Sequence, residues 1–297
     1  MKIGILGPSV PAPTFSVIVP TYGRPAQLRA CLAAIARTDW PRNDLEVIAV
    51  DDGSPTSVES IAPEFQDRLC LAVVRQRNAG PSAARNAGAA LARGRLLAFT
   101  DDDCEPSPRW LPALAARIEE SPCAAGGCTW NGLSANVYAE ASQLLTTQGY
   151  LHHNPDPSQA TFLATNNFAL PAAMFQAIGG FDASFRSAAY EDREFCERLL
   201  RRGFTMSYVP EAVVSHRHIL SLRTFWRQHF VYGQGAFRFY QPPRERAAAR
   251  IGGGLPRYYT GLAAAVLKGD HPFSLSLLVT LSQVASAAGW LRERTRV

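Results

Sequence analysis

The sequence predicts an α/β protein built on a doubly wound, mostly parallel sheet flanked by helices, with a helical extension at its C-terminal end. Three observations lead there. Four short apolar runs, FSVIVP (15–20), LEVIAVDD (45–52), LCLAVVRQ (69–76) and GRLLAFTDDD (94–103), are rich in Val, Ile, Leu and Phe, as strands covered on both faces are. Helix-like segments separate them, the alternation expected of parallel strands joined by crossovers. Polar clusters stand at the ends of three of the runs: TYGR after the first, Asp51 to Ser54 after the second, and Asp101, Asp102 and Asp103 after the fourth. The carboxyl ends of strands in such a sheet open onto one crevice where ligands bind, so the three clusters are expected to converge.

Each element follows from its own residues. The opening MKIGILGPSVPAP, residues 1–13, is broken too soon by Gly7, Pro8, Pro11 and Pro13 to be a signal peptide or a membrane span, and reads as an extension or an edge strand. PAQLRACLAAIA (25–36) starts at Pro25 and places Leu28, Leu32 and Ile35 at helical spacing. PSAARNAGAALARG (81–94) has Pro near its start and Gly94 past its end, the usual asymmetry of helix termini. From about Ser121 the rhythm changes: the stretch to Pro157 has no clear period, and HHNPDPSQ reads as an exposed loop. TFLATNNFALP leads into a short helix, GGFDASF makes a turn, and EDREFCERLLRRG (191–203) is a helix ended by Gly203, with Glu194 facing Arg198 and Glu197 facing Arg201. Asp192 lies on the apolar stripe of that helix, three residues before Phe195, and is expected to point toward the body.

Residues 221–297 hold an Arg- and aromatic-rich segment, SLRTFWRQHFVYGQGAFRFY (221–240), and two apolar helices. The segment is expected to be a packed helix with a solvated Arg face, the second reading being contact with an anionic or lipid-linked acceptor. The last helix has an uncharged run from His271 to Leu291, long enough in principle to span a bilayer. Its stripe of Leu277, Leu278, Leu281, Val284, Ala285 and Ala288, with Ser276, Thr280, Gln283 and Ser286 mostly off it, is expected to pack on the domain, with membrane-surface contact as the second reading.

Composition narrows the classes. With 297 residues, 47% hydrophobic and 19% charged, the chain has enough for one large core with an appended subdomain and is not a disordered protein. The net charge of +5 and pI near 9.0 come almost wholly from arginine, Lys2 and Lys268 being the only lysines, and read as compositional, with no nucleic-acid partner expected. The six cysteines lack the paired spacing of a zinc site, and a reduced, cytoplasmic compartment is the expectation.

Three adjacent carboxylates raise one another's pKa unless a cation is near. A divalent ion with oxygen ligands supplies one, Mg²⁺ typically taking one or two carboxylates together with phosphate oxygens. The competing reading is an acidic cap for the helix begun at PRWLPALAARI. The other two polar strand ends favour the metal.

The runs FSVIVPTYGRPAQLRACLAAI, VIAVDDGSPT and RNAGPSAARNAGAALARGRLLAFTDDDCEPSPRWL, followed by GGFDASFRSAAYEDREFCERLLRRGFTMSYVPEAVVSHR, resemble the family 2 glycosyltransferases of the GT-A fold, over about residues 14–240. The resemblance implies a nucleotide-sugar-binding half at 14–120, an acceptor-binding half at 121–220 and a C-terminal helical region at 221–297. It implies that Pro20, Thr21, Tyr22 and Arg24 border the nucleotide, that Asp52 hydrogen-bonds the base, and that Arg85 reaches the nucleotide. Asp101 to Asp103 look like the DxD region: Asp103 would ligate Mn²⁺ or Mg²⁺ on the diphosphate, with Asp101 or Asp102 contacting ribose or joining the metal, and His216 near it. Where many relatives have Asp-any-Asp-Asp, this chain has Thr100 before three aspartates, which leaves the second metal carboxylate open. Asp192, paired with Glu191, resembles the general base.

One base and no second carboxylate nucleophile implies single displacement and inversion. The implied activity is hexosyl-type transfer from a nucleoside-diphosphate sugar, UDP favoured, to a saccharide, lipid-linked or small-molecule hydroxyl. A non-catalytic sugar-nucleotide-binding protein is the alternative. A haloacid-dehalogenase-like phosphatase is disfavoured by Glu105 and the scarcity of lysine, a nucleotidyltransferase by the lack of a Gly-rich, Lys-bearing loop at PTYGRP, and a dinucleotide-dependent dehydrogenase by the absence of GxGxxG after any strand.

Overall fold

The computed structural model describes residues 2–6, 12–241 and 254–296. The four apolar runs form β2 (Phe15–Thr21), β3 (Leu45–Asp51), β4 (Cys70–Arg75) and β5 (Leu96–Phe99), after an edge strand β1 (Lys2–Leu6). They pair in parallel in the order β4-β3-β2-β5, while β1 lies antiparallel on β4. The chain therefore winds outward in one direction from β2, crosses back, and continues at β5. The switch point lies at the carboxyl ends of β2 and β5, where Thr21 and the three aspartates are.

Beyond β5 the sheet becomes mixed, and its order runs on through β8 (Phe168–Pro171), β7 (Ala124–Asn131), β9 (Met206–His216) and β6 (Cys104–Pro106). Only the β7–β9 pairing is parallel in this half. Two of these strands, β7 and β9, carry the register shift after Gly127, and their exposure changes along their length, so neither has a single clean period. Buried Asn167 ties the region together: it accepts from Trp110 Nε1 at 2.9 Å and donates to the carbonyls of Cys128 at 3.0 Å and Ala212 at 2.8 Å.

Helices cover both faces. α1 (Pro25–Ile35) and α3 (Trp110–Glu120) pack with Val17, Val19, Val47 and Leu96 in one core. α5 (Ala172–Ile178) and α6 (Glu191–Arg201) pack on Ile18, Leu97 and Phe99 on the other face, with α2 (Pro81–Leu91) beside them over Ile48 and Val50. The alternation of β2 and β5 residues between the cores is the period-2 signature of a strand buried twice.

A third core joins α4 (Val137–His153) to α7 (Leu222–Tyr240), α8 (Gly254–Lys268) and α9 (Pro272–Arg294) through Ala141, Phe225, Leu262, Val266, Leu275 and Leu278. α4 occupies part of the stretch whose sequence has no clear period. Its residues lie between a polar cavity and the C-terminal helices, so the apolar positions never gather into one stripe. The stripe expected on α9 is corrected: Leu275, Leu278, Ser282, Ala285 and Gly289 are buried, while Leu277 and Val284 stand in solvent. Small and polar residues face inward there because α7 comes too close for larger side chains.

Candidate active site

Thr100 follows β5 and donates through Oγ1 to the carbonyl of Asn166 at 2.9 Å, and the three aspartates turn immediately after it. The turn is closed by Cys104 N donating to Asp101 O at 3.1 Å. The aspartates do not cap α3, whose N-cap position is Arg109 with no side-chain cap bond. They point in three directions. Asp102 is fully buried, accepts from Thr21 Oγ1 at 2.6 Å and pairs with Arg24 Nη2 at 2.8 Å. Asp103 pairs with Arg24 Nη1 at 2.7 Å through one oxygen and faces His216 Nε2 at 3.3 Å through the other. Asp101, partly exposed, takes Arg85 Nη2 at 2.8 Å.

The approach of His216 is set by backbone register. β6 and β9 pair antiparallel with Cys104 opposite His216, and Arg217 N donates to Asp103 O at 2.8 Å. The last residue of β9 is thereby held against the last aspartate of the turn. Burial opposes ionisation of Asp103, but the hydrogen bond and charge of His216, with Arg24 behind them, hold the carboxyl well below the usual carboxylate range. Burial would lower the His216 imidazole, yet its hydrogen bond to Asp103 keeps it above its ordinary value. Burial pushes Asp102 up to about 7 against the pull of Arg24.

A carboxylate oxygen and an imidazole nitrogen 3.3 Å apart, amid acids that Arg24 and Arg85 only partly offset, fit a divalent cation. Cys104 Sγ lies within 4.8 Å of both, a donor the sequence reading left out. It is a buried thiol whose ionisation burial strongly disfavours, and thiolate is a soft ligand suited to other metals.

The residues expected to border a nucleotide stand at the ends of β2 and β3. Pro20 and Thr21 are buried at the end of β2, Tyr22 is half exposed, and Arg24 spans Asp102 and Asp103. Asp52 is buried and accepts from Gln76 Nε2 at 2.7 Å, Ala79 N at 2.9 Å and Gly80 N at 2.8 Å, so its carboxylate holds the loop into α2.

On the other side Arg85, a buried residue of α2, bridges Asp101 and Glu191 Oε1, the latter at 3.1 Å. Its charge is engaged within the protein. Glu191 and Asp192 open α6, where acids are favoured by the helix dipole, and Tyr190 before them has φ 68°, a left-handed conformation that costs a tyrosine energy. Glu191 is buried on Arg85, whereas Asp192 is half-buried and borders a cavity of about 430 Å³. Burial raises the pKa of both acids, and their adjacency adds to the rise at Glu191.

Asp101, Arg85, Glu191, Asp192 and His216 all line this cavity, together with His218, which the sequence reading passed over two residues beyond His216. α4, α7 and α9 close the opposite side. Their polar cavity residues had one detectable signal, Gln228, His229 and Tyr232 interrupting an aromatic run at helical spacing.

The family described as "Glycosyl transferase family 2" matches residues 16–183, more than half of the chain. Validoxylamine A glucosyltransferase of Streptomyces hygroscopicus subsp. jinggangensis is 31% identical over 229 residues, which take in 67% of this chain and 54% of that protein. An N-acetylglucosaminyltransferase of Sinorhizobium fredii is 28% identical over 298 residues, 93% of this chain and 69% of that one. The chain thus spans about half the length of the validoxylamine A glucosyltransferases it matches.

Among solved structures, the mannosyltransferase PcManGT from Pyrobaculum calidifontis in complex with GDP-Man and Mn²⁺ is similar with a TM-score of 0.67 and 19% identity, over 95% of this chain and 87% of that one. TarS of S. aureus is similar with a TM-score of 0.55 and 18% identity, over 95% of this chain and 55% of that one. The fold is that of the GT-A glycosyltransferases, and the chain belongs to glycosyl transferase family 2.

Proposed function

We propose that this protein is an inverting, metal-dependent glycosyltransferase that moves a hexosyl unit from a nucleoside-diphosphate sugar, UDP-linked by preference, to an acceptor hydroxyl. The observation that carries this reading is the meeting of Asp103 with His216 at the switch point of the sheet, with Asp192 bordering the cavity on the far side of that pair. Mn²⁺-GDP-mannose in the complex of PcManGT, and UDP-GlcNAc in that of TarS, support a nucleotide-sugar donor.

Asp103 and His216 would hold the ion, with Asp101 at the cavity edge beside them. When bound, the metal supplies charge neutralisation for the leaving diphosphate. Tyr22 and Arg24 border the nucleotide, and Asp52 fixes the loop beneath its base side. Asp192 takes the proton of the acceptor hydroxyl as its oxygen forms the new bond to the anomeric carbon. The bond from that carbon to the diphosphate oxygen breaks, and the nucleoside diphosphate leaves with its electron pair. Glu191, neutralised by Arg85, positions the start of α6. Six free cysteines, all buried but Cys128, fit a reducing cytoplasmic setting. We add to the reading a peripheral contact with the inner membrane surface through the outward face of α9.

The test is donor binding by calorimetry across UDP-, GDP- and dTDP-sugars with and without Mn²⁺. Asp103→Asn should weaken metal-dependent donor binding by about tenfold or more, the scale of losing a ligand-set contact. Unchanged Mn²⁺-dependent binding in that variant would remove the metal assignment.

A further inference from the structure

The cavity beside Asp192 has two unlike sides. On one stand the charged groups Arg85, Asp101, Glu191, Asp192 and Arg193. On the other, among the described residues, α4, α7 and α9 contribute no acid, lysine or arginine to the lining; the polar groups there include Ser142, Gln143, Gln228, His229, Tyr232 and Gln283. α7 and α9 lie beyond residues 16–183, which match the family.

Two atoms on this second side are buried without a partner among the described residues, Gln228 Oε1 and His229 Nε2. The Gln228 amide is fixed by its other end, which donates to Ser142 Oγ at 2.8 Å and Tyr232 Oη at 3.2 Å. His229 is only 5% exposed, and burial lowers its pKa to about 4, so the imidazole is neutral at pH 7. Buried polar atoms left unpaired are costly, and at the edge of a cavity a water, an ion or a ligand group can complete their bonding. An amide oxygen and a neutral imidazole suit hydroxyl groups, each of which can donate or accept.

An anionic acceptor finds no cation on this side. Across the cavity Arg85 is paired with Asp101 and Glu191, and Arg193, next to Asp192, rests its Nη1 on His153 Nε2 at 2.7 Å, so the arginines stand among acids on the facing side and not on α4, α7 or α9. The neighbouring acids would repel a phosphate or a carboxylate.

Resting on the transferase reading above, we propose that α4, α7 and α9 form the acceptor subsite, that it takes a neutral polyhydroxylated compound, and that Gln228 and His229 bind its hydroxyls and set this preference. The residues that select the acceptor then lie in the C-terminal helices and not in the part of the chain that handles the donor.

The experiment uses the full chain with Mn²⁺ and the nucleotide sugar that binds best by calorimetry. Methyl α-glucoside and myo-inositol are compared with glucose 6-phosphate, glucuronate and a polyprenyl phosphate, reading nucleoside-diphosphate release and, separately, saturation-transfer NMR without donor. Neutral compounds should bind and accept, with at least tenfold lower KM than the anionic ones. Gln228→Leu should raise acceptor KM at least tenfold with the donor dissociation constant unmoved. Circular dichroism and the unmoved donor dissociation constant show that the leucine variant is folded, and His229→Phe, made alongside it, should raise acceptor KM in the same direction.

Preference for the anionic compounds, or an unchanged acceptor KM in a folded Gln228→Leu, overturns the proposal while leaving the transferase reading intact. Failure of every nucleotide sugar to bind takes down both.

Discussion

Glu191 and Asp192 are neighbours in sequence with different surroundings, and the difference assigns their work. Glu191 is buried against Arg85, so its charge is matched and its carboxylate is tied. Asp192 borders the cavity, its Oδ1 accepting from Arg193 N at 2.8 Å. Burial raises its pKa, partly offset by Arg193. A general base works only when ionised, so transfer should fall as pH drops through this raised value, and the acid limb of kcat should lie above the ordinary aspartate value of about 3.9. Asp192→Asn should lower kcat by about 10² or more and abolish the limb, as loss of a general base does. Donor affinity should be spared, because on the proposed reading the donor would be held by residues other than Asp192. A full-rate Asp192→Asn enzyme with the limb retained would place the base elsewhere. Rates measured from pH 4 to 8 on both proteins decide this.

The helix pair α7–α9 shows how an element positions the site. A Cβ at Gly233 would lie 1.9 Å from the carbonyl oxygen of Ser286, and one at Gly289 would lie 1.9 Å from that of Phe230. The two helices cross in contact at these reciprocal points, and neither glycine can gain a methyl group without forcing the backbones apart. Gly289→Ala should therefore destabilise the protein by ~1–3 kcal/mol, the usual cost of overpacking, as read by urea unfolding. Donor binding should survive in the folded fraction, since Thr21, Arg24, Arg85 and His216, which hold the three aspartates, all lie outside the two helices; an equally stable Gly289→Ala protein would refute the close crossing.

Close approach of this kind was not legible in the sequence, where Gly289 looks like one small residue in an apolar helix. What was legible is local. The four strands of the parallel half read as continuous Val, Ile and Leu runs because they are buried on both faces, and Asp101 to Asp103 stood out because charge at the end of such a run needs a reason. β7, β9 and α4 were obscure because bulges, changing exposure and a polar cavity break the periods that sequence patterns depend on. His216 was legible as a residue near the site, but its pairing with Asp103 depends on the β6–β9 register, which joins segments more than a hundred residues apart.

At the scale of the molecule, α9 joins an inward face that builds the third core to an outward face covered by nothing among the described residues. It is long and apolar enough, by length and composition alone, to cross a membrane. Its inner residues argue against spanning: Ser282 and Glu293 are buried, and Glu293 is held by Gln234 Nε2 at 3.0 Å and Arg238 Nε at 2.8 Å, bonds to α7 that insertion would strip away. The outer face is different. Phe273, Leu277, Val284 and Leu291 are 85%, 61%, 53% and 55% exposed and recur at intervals of one or two helical turns, so they form one apolar line. Arg292 and Arg294 follow at its C-terminal end. A long apolar line with cations at its edge suits contact in the plane of an anionic lipid surface better than a crossing of it. Each buried Leu or Phe contributes about 1.5–3 kcal/mol on leaving water, so three or four of them suffice for reversible attachment. The full chain should cosediment with phosphatidylglycerol-containing vesicles and bind less as salt is raised. Leu277→Ser with Val284→Ser should weaken that binding by about tenfold or more while leaving thermal stability unchanged, because neither side chain is packed. Equal sedimentation of the double variant, or none by the parent protein, would show that this face does not carry lipid binding.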